Sequence, residues 1–493
     1  MPDFFVNIKE DSYYPSSTYN YNPDTQYPEY LWRNSDISIE KNDVYDMVRN
    51  CLIGLQMDAA NFNTKKWNPL GEIIKEGDTV VIKPNWVMHF NKNQRITENS
   101  LECLITHPSI LRAVTDYCLI ALNNTGKLII GDAPMQGCDL DKLIEISGYK
   151  ELFNFYNDHS LNIHPTDFRQ YSTIVDKNKV LIGRKYNSNE ALEVELDIES
   201  RLNSQNSENK QYKVSDYSEK DTNKYHCNGK HTYLINKDVL SADVIINLCK
   251  PKCHRLAGIT VALKNIVGIT FDKACLPHRT IGSKQKGGDE YLYNSVIKKI
   301  IGKVLKKKLF FEGKNKHHFS LAMRYTYGLL FYIMKRFSKD EFLIGSWYGN
   351  DTIWRTVLDL YQILLYTDKN GVIHDTKQRK IFNIADMIIS GERNGPVAPD
   401  PKKLGIIIAG YDAVMMDRLV CEIMGFDYSK VPSVYNAIND TKLIQKVQDN
   451  YLIYSNEQAY NKKRINELNF PLRWRFKPYD TWKGFIEKSE IHP

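Results

Sequence analysis

The stretch from Leu240 to Asp272 reads LSADVIINLCKPKCHRLAGITVALKNIVGITFD. A β-branched run, Val244, Ile245 and Ile246, gives way to a polar cluster. If the backbone stays extended there, side chains alternate between two faces. Lys250, Lys252 and His254 then share one face, and Cys249, Pro251 and Cys253 the other. Three potential cations at the carboxyl end of a buried strand form a cradle for an anion, where open α/β sheets bind ligands. The plain alternative is a solvated basic loop. The cradle is favoured because a buried strand precedes it and an apolar segment follows.

Polar groups follow four other predicted strands. Lys83 and Asn85 follow the first and Asp132 the second; Glu392 and Asn394 follow the fourth and Asp412 the fifth. Five such ends along one sheet edge would frame a shared cleft. Lysines suit phosphate or carboxylate, and aspartates suit a divalent cation or acid–base work. Lys83, Lys250, Lys252 and Lys264 are expected to hold the anion, with Asn85, His107, Asn265, Glu392 and Asn394 placing the substrate. His254 is expected to carry a proton, because an unperturbed imidazole titrates near neutrality. Lys264 and Asp132 join it as catalytic candidates, and Asp412 and Asp417 are the candidate ligands of a divalent metal.

Each of these has a plainer reading. Lys264 sits in an apolar helical pattern and either snorkels to water or enters the site with a lowered pKa. His107, before Pro108, either faces the cleft or caps and packs a helix. Asp351 and Arg355, four apart, read first as a surface ion pair. Gly287-Gly288-Asp289-Glu290-Tyr291 reads as a plain loop ahead of an acidic lid. Cys249, Cys253 and His254 have spacing for a soft metal, although free buried cysteines are favoured. No C-x-x-C occurs, so a ferredoxin-type iron–sulfur cluster is not expected.

The elements that must position these groups follow from periodicity. Val44 to Ala60 has helical spacing, and Gly77-Asp78 turns into a strand over Thr79–Lys83. Pro108 to Leu122 is a helix with Pro108 in its first turn, and Lys127–Gly131 a second strand. The order strand, helix, strand implies a parallel pair with a right-handed crossover. Gly258 to Val267 reads as a helix, with Thr260 as its cap, and Asp351 to Tyr366 as another with a broad apolar face. Ala385–Ile389 and Leu404–Ala409 are further strands, the second leading into a helix through Cys421. The chain therefore divides into an irregular arm (1–43), a first part of the core (44–156), a polar insertion (157–232), the strand–loop–helix unit (233–280), a basic helical insertion (281–345), a last part of the core (346–435) and a wrapping tail (436–493). The Ser/Asn/Glu/Lys-rich section from Glu199 to Lys224 is expected to be partly mobile.

The chain of 493 residues is too long for one compact core without insertions. Its 42% hydrophobic content and mean hydropathy of -0.46 fit a water-exposed globular protein. The first residues, MPDFFVNIKEDSYYPSS, carry acids and a proline and lack an apolar run of signal length. The nine cysteines are odd in number and scattered, which fits a reducing, cytoplasmic setting. Net charge is +7, but Val296 to Lys339 holds twelve Lys or Arg and one acid, so the rest of the chain is net acidic. A nucleic-acid partner is not expected, since basic charge is confined to that segment and no binding motif accompanies it. Within it, Ser320 to Phe337, SLAMRYTYGLLFYIMKRF, is apolar and aromatic with basic flanks. It either lies on an anionic membrane surface as a peripheral contact, covers the cleft, or folds as a helical hairpin.

The motifs together resemble the family called domain of unknown function 362. They are Lys83-Pro84-Asn85, Thr106-His107-Pro108, Gly131-Asp132, Asn247 through His254, Lys264-Asn265-Ile266-Val267-Gly268, Asn394-Gly395-Pro396, Asp412, Asp417 and Met424-Gly425-Phe426. The resemblance covers about Thr79 to Asp427 and implies the fold and the site more than the chemistry. Leu276-Pro277-His278 and Gly349-Asn350-Asp351 resemble a subgroup associated with surface-polysaccharide or secondary-metabolite genes. Some family members carry ferredoxin-like cysteine clusters, which this chain lacks. Cys249 and Cys253 also depart from the Pro and Thr expected there.

The fold class expected is α/β, a mostly parallel sheet with flanking helices and a ligand cleft at the strand carboxyl ends. The leading function is an enzyme acting on a small anionic, phosphate- or carboxylate-bearing substrate, which the subgroup resemblance extends to a sugar-linked one. The rivals are a metal or redox protein built on Cys249, Cys253 and His254, and a non-catalytic membrane-surface or assembly protein built on residues 296–339.

Overall fold

The computed structural model describes residues 2–32, 36–93, 100–176, 180–203, 211–215, 217–338, 340–444 and 450–489. The mobility expected within Glu199–Lys224 falls in part outside these residues, as do Lys339 and parts of the tail.

The centre is an eleven-stranded sheet. In chain order its strands are β1 (Phe4–Ile8), β2 (Thr79–Lys83), β3 (Lys127–Asp132), β4 (Pro165–Asp167), β5 (Val244–Cys249), β6 (Lys252–His254), β7 (Gly258–Thr260), β8 (Lys380–Asn394), β9 (Ala398–Gly410), β10 (Leu452–Ser455) and β11 (Lys463–Arg464). Nine of them run β11-β10-β1-β9-β8-β5-β2-β3-β4 across the sheet, and off this path β6 pairs with β7 and β8. From β8 to β4 every neighbouring pair is parallel. Strand β5, VIINLC, is buried at every position, as a parallel strand covered on both faces must be. Val244, Ile246 and Leu248 enter the core layer shared with α1 (Asp43–Gly54) and α2 (Pro108–Leu122). Ile245 and Cys249 enter the opposite layer. The eight helices used below are α1, α2, α3 (Tyr149–Asp158), α4 (Ala262–Asn265), α5 (Val296–Gly313), α6 (His317–Phe337), α7 (Ile353–Tyr366) and α8 (Ala413–Met424). Helices α4, α7 and α8 cover the Ile245 side, so the mixed α/β fold with a mostly parallel central sheet is plain.

Three expectations are corrected. Strand β9 is antiparallel to β8, with Asn383 opposite Gly410, because only residues 395–397 join them and a parallel return needs a long crossover. Its carboxyl end therefore points to the far edge of the sheet, and Asp412 is not at the shared cleft. The segment Gly258–Val267 is not one helix but a short strand β7, the four-residue α4 and a 3-10 turn over Ile266–Ile269. Its cap is not Thr260: the Asp417 carboxylate, from α8, accepts the N–H groups of Ala262 and Leu263 at 2.7 and 3.2 Å. The N-terminal arm is not wholly irregular, since Phe4–Ile8 pairs with both β9 and β10 inside the sheet.

Candidate functional site

At the carboxyl edge of β2, β3 and β5 lies a buried polar network. Lys83 Nζ donates to Asp132 Oδ1 at 2.8 Å, to the Pro84 carbonyl at 3.0 Å and to Asn265 Oδ1 at 3.2 Å. Asn85 Nδ2 donates to the same Asn265 oxygen at 2.6 Å, and Lys252 Nζ donates to Asn85 Oδ1 and to the Leu104 carbonyl. Asn265 Nδ2 reaches Asn247 Oδ1 at 2.7 Å, and Asn247 Nδ2 reaches Asn383 on β8 at 2.9 Å. Five of the expected residues, Lys83, Asn85, Asp132, Lys252 and Asn265, thus meet in one network drawn from separate segments.

The network is saturated rather than open. Lys83 is 1% exposed, and Lys250 and Lys252 are 0% exposed. Both oxygens of Asp132 are used: Oδ1 by Lys83 and the Ala133 N–H, Oδ2 by the Trp86 N–H. Lys250 leaves this group and donates to Asp386 Oδ2 at 2.9 Å and to Tyr14 OH at 2.6 Å, while Tyr14 donates to Asp386 Oδ1. Gly268 closes the floor. A Cβ there would lie 1.8 Å from Asp132 Oδ1 and 2.6 Å from Lys83 Nζ, which explains the glycine after Lys264-Asn265-Ile266-Val267.

One amine is different. Among the described residues Lys264 Nζ makes no hydrogen bond or ion pair, although Lys264 is half-buried. Burial, then the charges of Lys273 and Lys83, push its pKa down to about 7. Lys273, likewise half-buried, donates to the Ala133 carbonyl at 2.7 Å and is pushed down to about 8, first by burial. Two imidazoles feel the Lys264 charge. His254 Nδ1 accepts the N–H groups of Leu256 and Ala257, both at 3.1 Å, so the proton of the neutral ring sits on Nε2. His278 Nδ1 donates to the Leu276 carbonyl at 2.7 Å, which leaves its Nε2 as an acceptor. Burial and then Lys264 lower both pKa values, that of His278 to about 3. The cradle therefore offers two amines titrating near neutrality, one N–H donor and one imidazole lone pair, with no carboxylate among the groups that shift Lys264.

This changes several expected roles. His254 is neutral across the physiological range, because burial and four neighbouring basic groups oppose its charge; the group poised near neutrality that keeps an open amine is Lys264. His107 caps α2 by accepting the Ser109 N–H at 3.2 Å and stacks on Tyr14, with ring centroids 3.9 Å apart. Glu392 accepts the Lys477 N–H at 3.0 Å. It lies on the Cys253 side, because Gly391 is the residue packed against the Lys252 Cβ; Asn394, two residues on, shares that face. Asp412 Oδ1 caps α8 through the N–H groups of Val414 and Met415. Burial pushes the Asp417 pKa well above the usual carboxylate range, and its Oδ1 is taken up by the Ala262 and Leu263 N–H groups. Cys249 and Cys253 each lie against a backbone carbonyl, of Ile384 and Lys477, and among the described residues no three His, Cys, Asp or Glu side chains group as a metal site.

Lys273, His278, Asp386 and Tyr14 were not anticipated in these positions. A signal existed for Asp386, a lone acid within the apolar run Ile384 to Ile388, and for His278, in the Leu276-Pro277-His278 motif. A cavity of about 440 Å³ lies elsewhere, lined by Asp289, Asn350, Asp351, Thr352 and Arg355 among others. Of its charged side chains, Asp289, Asp351 and Arg355 are already engaged within the protein. Asp289 accepts from the Thr280 N–H, the Asp351 N–H and the Thr352 hydroxyl, and Arg355 pairs with Asp351 at 3.0 Å. Asp289 is thus an anchor of the loop and not a lid residue.

Comparison with curated proteins gives no match. Among solved structures, the crystal structure of a structural-genomics protein from Thermotoga maritima aligns over 73% of this chain and 58% of its own length, less than two thirds of it, at 10% identity and a TM-score of 0.28. The family model described as Domain of unknown function (DUF362) matches residues 80–198 and 202–422, and with more than half of its length so matched the chain belongs to that family.

Proposed function

We propose that the protein is an enzyme that binds a small anionic substrate between Lys264, Lys273, His254 and His278, and that Lys264 moves the proton. The observation that carries this reading is the half-buried Lys264 amine, which among the described residues makes no hydrogen bond or ion pair and is shifted by burial and by the charges of Lys273 and Lys83. A cation held without a partner costs folding free energy, and an incoming phosphate or carboxylate removes that cost. His254 Nε2–H donates to the bound anion, and the lone pair of His278 orients a substrate hydroxyl. A lysine near pKa 7 exists in both forms at neutral pH, which is the condition for a general base that returns its proton as an acid. The saturated network beneath holds the cradle floor in place. All nine cysteines are free thiols, eight of them buried, which supports a reducing, cytoplasmic compartment.

The test is calorimetric titration of the full chain with inorganic phosphate and with succinate, repeated on Lys264→Met and Lys264→Arg. The proposal expects one of the two anions to bind, binding to weaken about tenfold in Lys264→Met, and Lys264→Arg to retain it. Equal affinity in all three proteins, or no binding of either anion, overturns the reading.

A further inference from the structure

We propose that the α5–α6 hairpin docks the protein on the surface of an anionic lipid bilayer. The two helices pack on each other and stand on a small root. Lys298 pairs with Asp340, and Tyr291, Ile301, Met334 and Leu343 form a separate apolar cluster there. Beyond that root little is buried: of the two helices only Lys298, Ile301, Glu312, Ser320 and Met334 are. The outer face of α6 carries Tyr325, Leu329 and Tyr332 at spacings of four and three, so that they line one stripe, and they are 69%, 62% and 67% exposed. Phe310 and Phe319 near the tip, and Phe337, are also exposed.

Charge selects the partner. Exposed lysines and arginines, including Lys299, Lys303, Lys307, Lys316 and Arg336, accompany the apolar side chains. The single acid, Glu312, is buried and accepts from Lys308 and Ser320, so no carboxylate of the hairpin faces outward. Exposed Leu and Phe gain nothing from a nucleic-acid backbone, whereas a bilayer interface takes up apolar and aromatic groups while its headgroups bind lysines. No helix of the described residues is long and apolar enough to cross a membrane, so the contact is with the surface. On its inner side α6 presents Tyr327 close enough to Arg255 for that charge to act on it. Docking therefore leaves α6 between the bilayer and the Arg255 segment next to His254; any bearing on the cradle rests on the proposed function, but the docking itself does not.

Full-length protein is sedimented with vesicles of phosphatidylcholine alone or mixed with phosphatidylglycerol, at low and high salt. The proposal expects co-sedimentation with the mixed vesicles only, weakened by salt. Lys303→Glu/Lys307→Glu and, separately, Leu329→Ser/Tyr332→Ser each lower partitioning about tenfold, with melting temperature and phosphate affinity unchanged. Protein that stays in solution with both vesicles overturns it. So does binding that ignores both variant pairs, or self-association through this face without vesicle binding. Loss of phosphate binding by Lys264→Met leaves vesicle binding intact, so the two proposals fail separately.

Discussion

Two sets of lysines stand at the same edge of one sheet and have opposite fates. Lys83 and Lys250 are buried against Asp132 and Asp386, at 2.8 and 2.9 Å, and Lys252 is surrounded by amide and carbonyl acceptors. Lys264 keeps contact with water and has no acceptor of its own. A buried charge that lacks a partner is expensive, so the first set serves as polar core. The second tolerates its cost in a place a ligand can reach. The lesson is that a count of lysines at a cleft does not define an anion site; the acceptor list of each amine does.

The comparison breaks most visibly if the core set is not needed for stability. Asp386→Ala strands Lys250 and Tyr14, and is expected to cost about 3–5 kcal/mol in urea unfolding, as breaking a buried pair does. Gly268→Ala drives a methyl into the Lys83–Asp132 pair and is expected to cost about 1–3 kcal/mol by overpacking. Lys264→Met should leave urea stability at neutral pH unchanged or slightly raised, since it removes an uncompensated charge; a loss as large as that of Asp386→Ala would put Lys264 in the core set. A subtler mark is the pH dependence. An unfolded lysine holds its proton up to about 10.5, whereas Lys252 and Lys264 lose theirs near 7 in the folded chain. Between these values the unfolded state binds more protons, so stability rises with pH across that window and is flat in this respect below it. Urea midpoints measured across that range should climb, and climb less in Lys264→Met. In the same direction, phosphate affinity should fall as pH rises from about 7 to about 8 and the two cradle amines lose charge.

Much of the frame was legible. The runs at Thr79–Lys83, Lys127–Asp132 and Val244–Cys249 are strands because β-branched residues stand between turn signals, and Pro108 opens α2 where its missing N–H costs nothing. Alternation put Lys250, Lys252 and His254 on one face, yet their partners differ: Lys250 goes to Asp386 and Tyr14, and Lys252 to Asn85 and the Leu104 carbonyl. The reading failed where a distant group decides the outcome. The helix expected over Gly258–Val267 has suitable apolar spacing, yet the carboxylate of Asp417, 155 residues away in the chain, sets where the first turn begins. The reversed course of β9 follows from a three-residue connection, and it removed Asp412 from the cleft. His254 was given the near-neutral titration of a free imidazole, which burial and Lys264 take away.

By itself the amino-acid sequence determined which segments are apolar enough to be strands and which side chains follow them, since those properties reside in neighbouring residues. Tertiary structure decided which lysine keeps an open amine. That choice depends on acceptors such as Asp132 and Asp386, 49 and 136 residues from the lysines they hold. Compensation of charge is a matter of ångströms in space, and separation along the chain does not measure it.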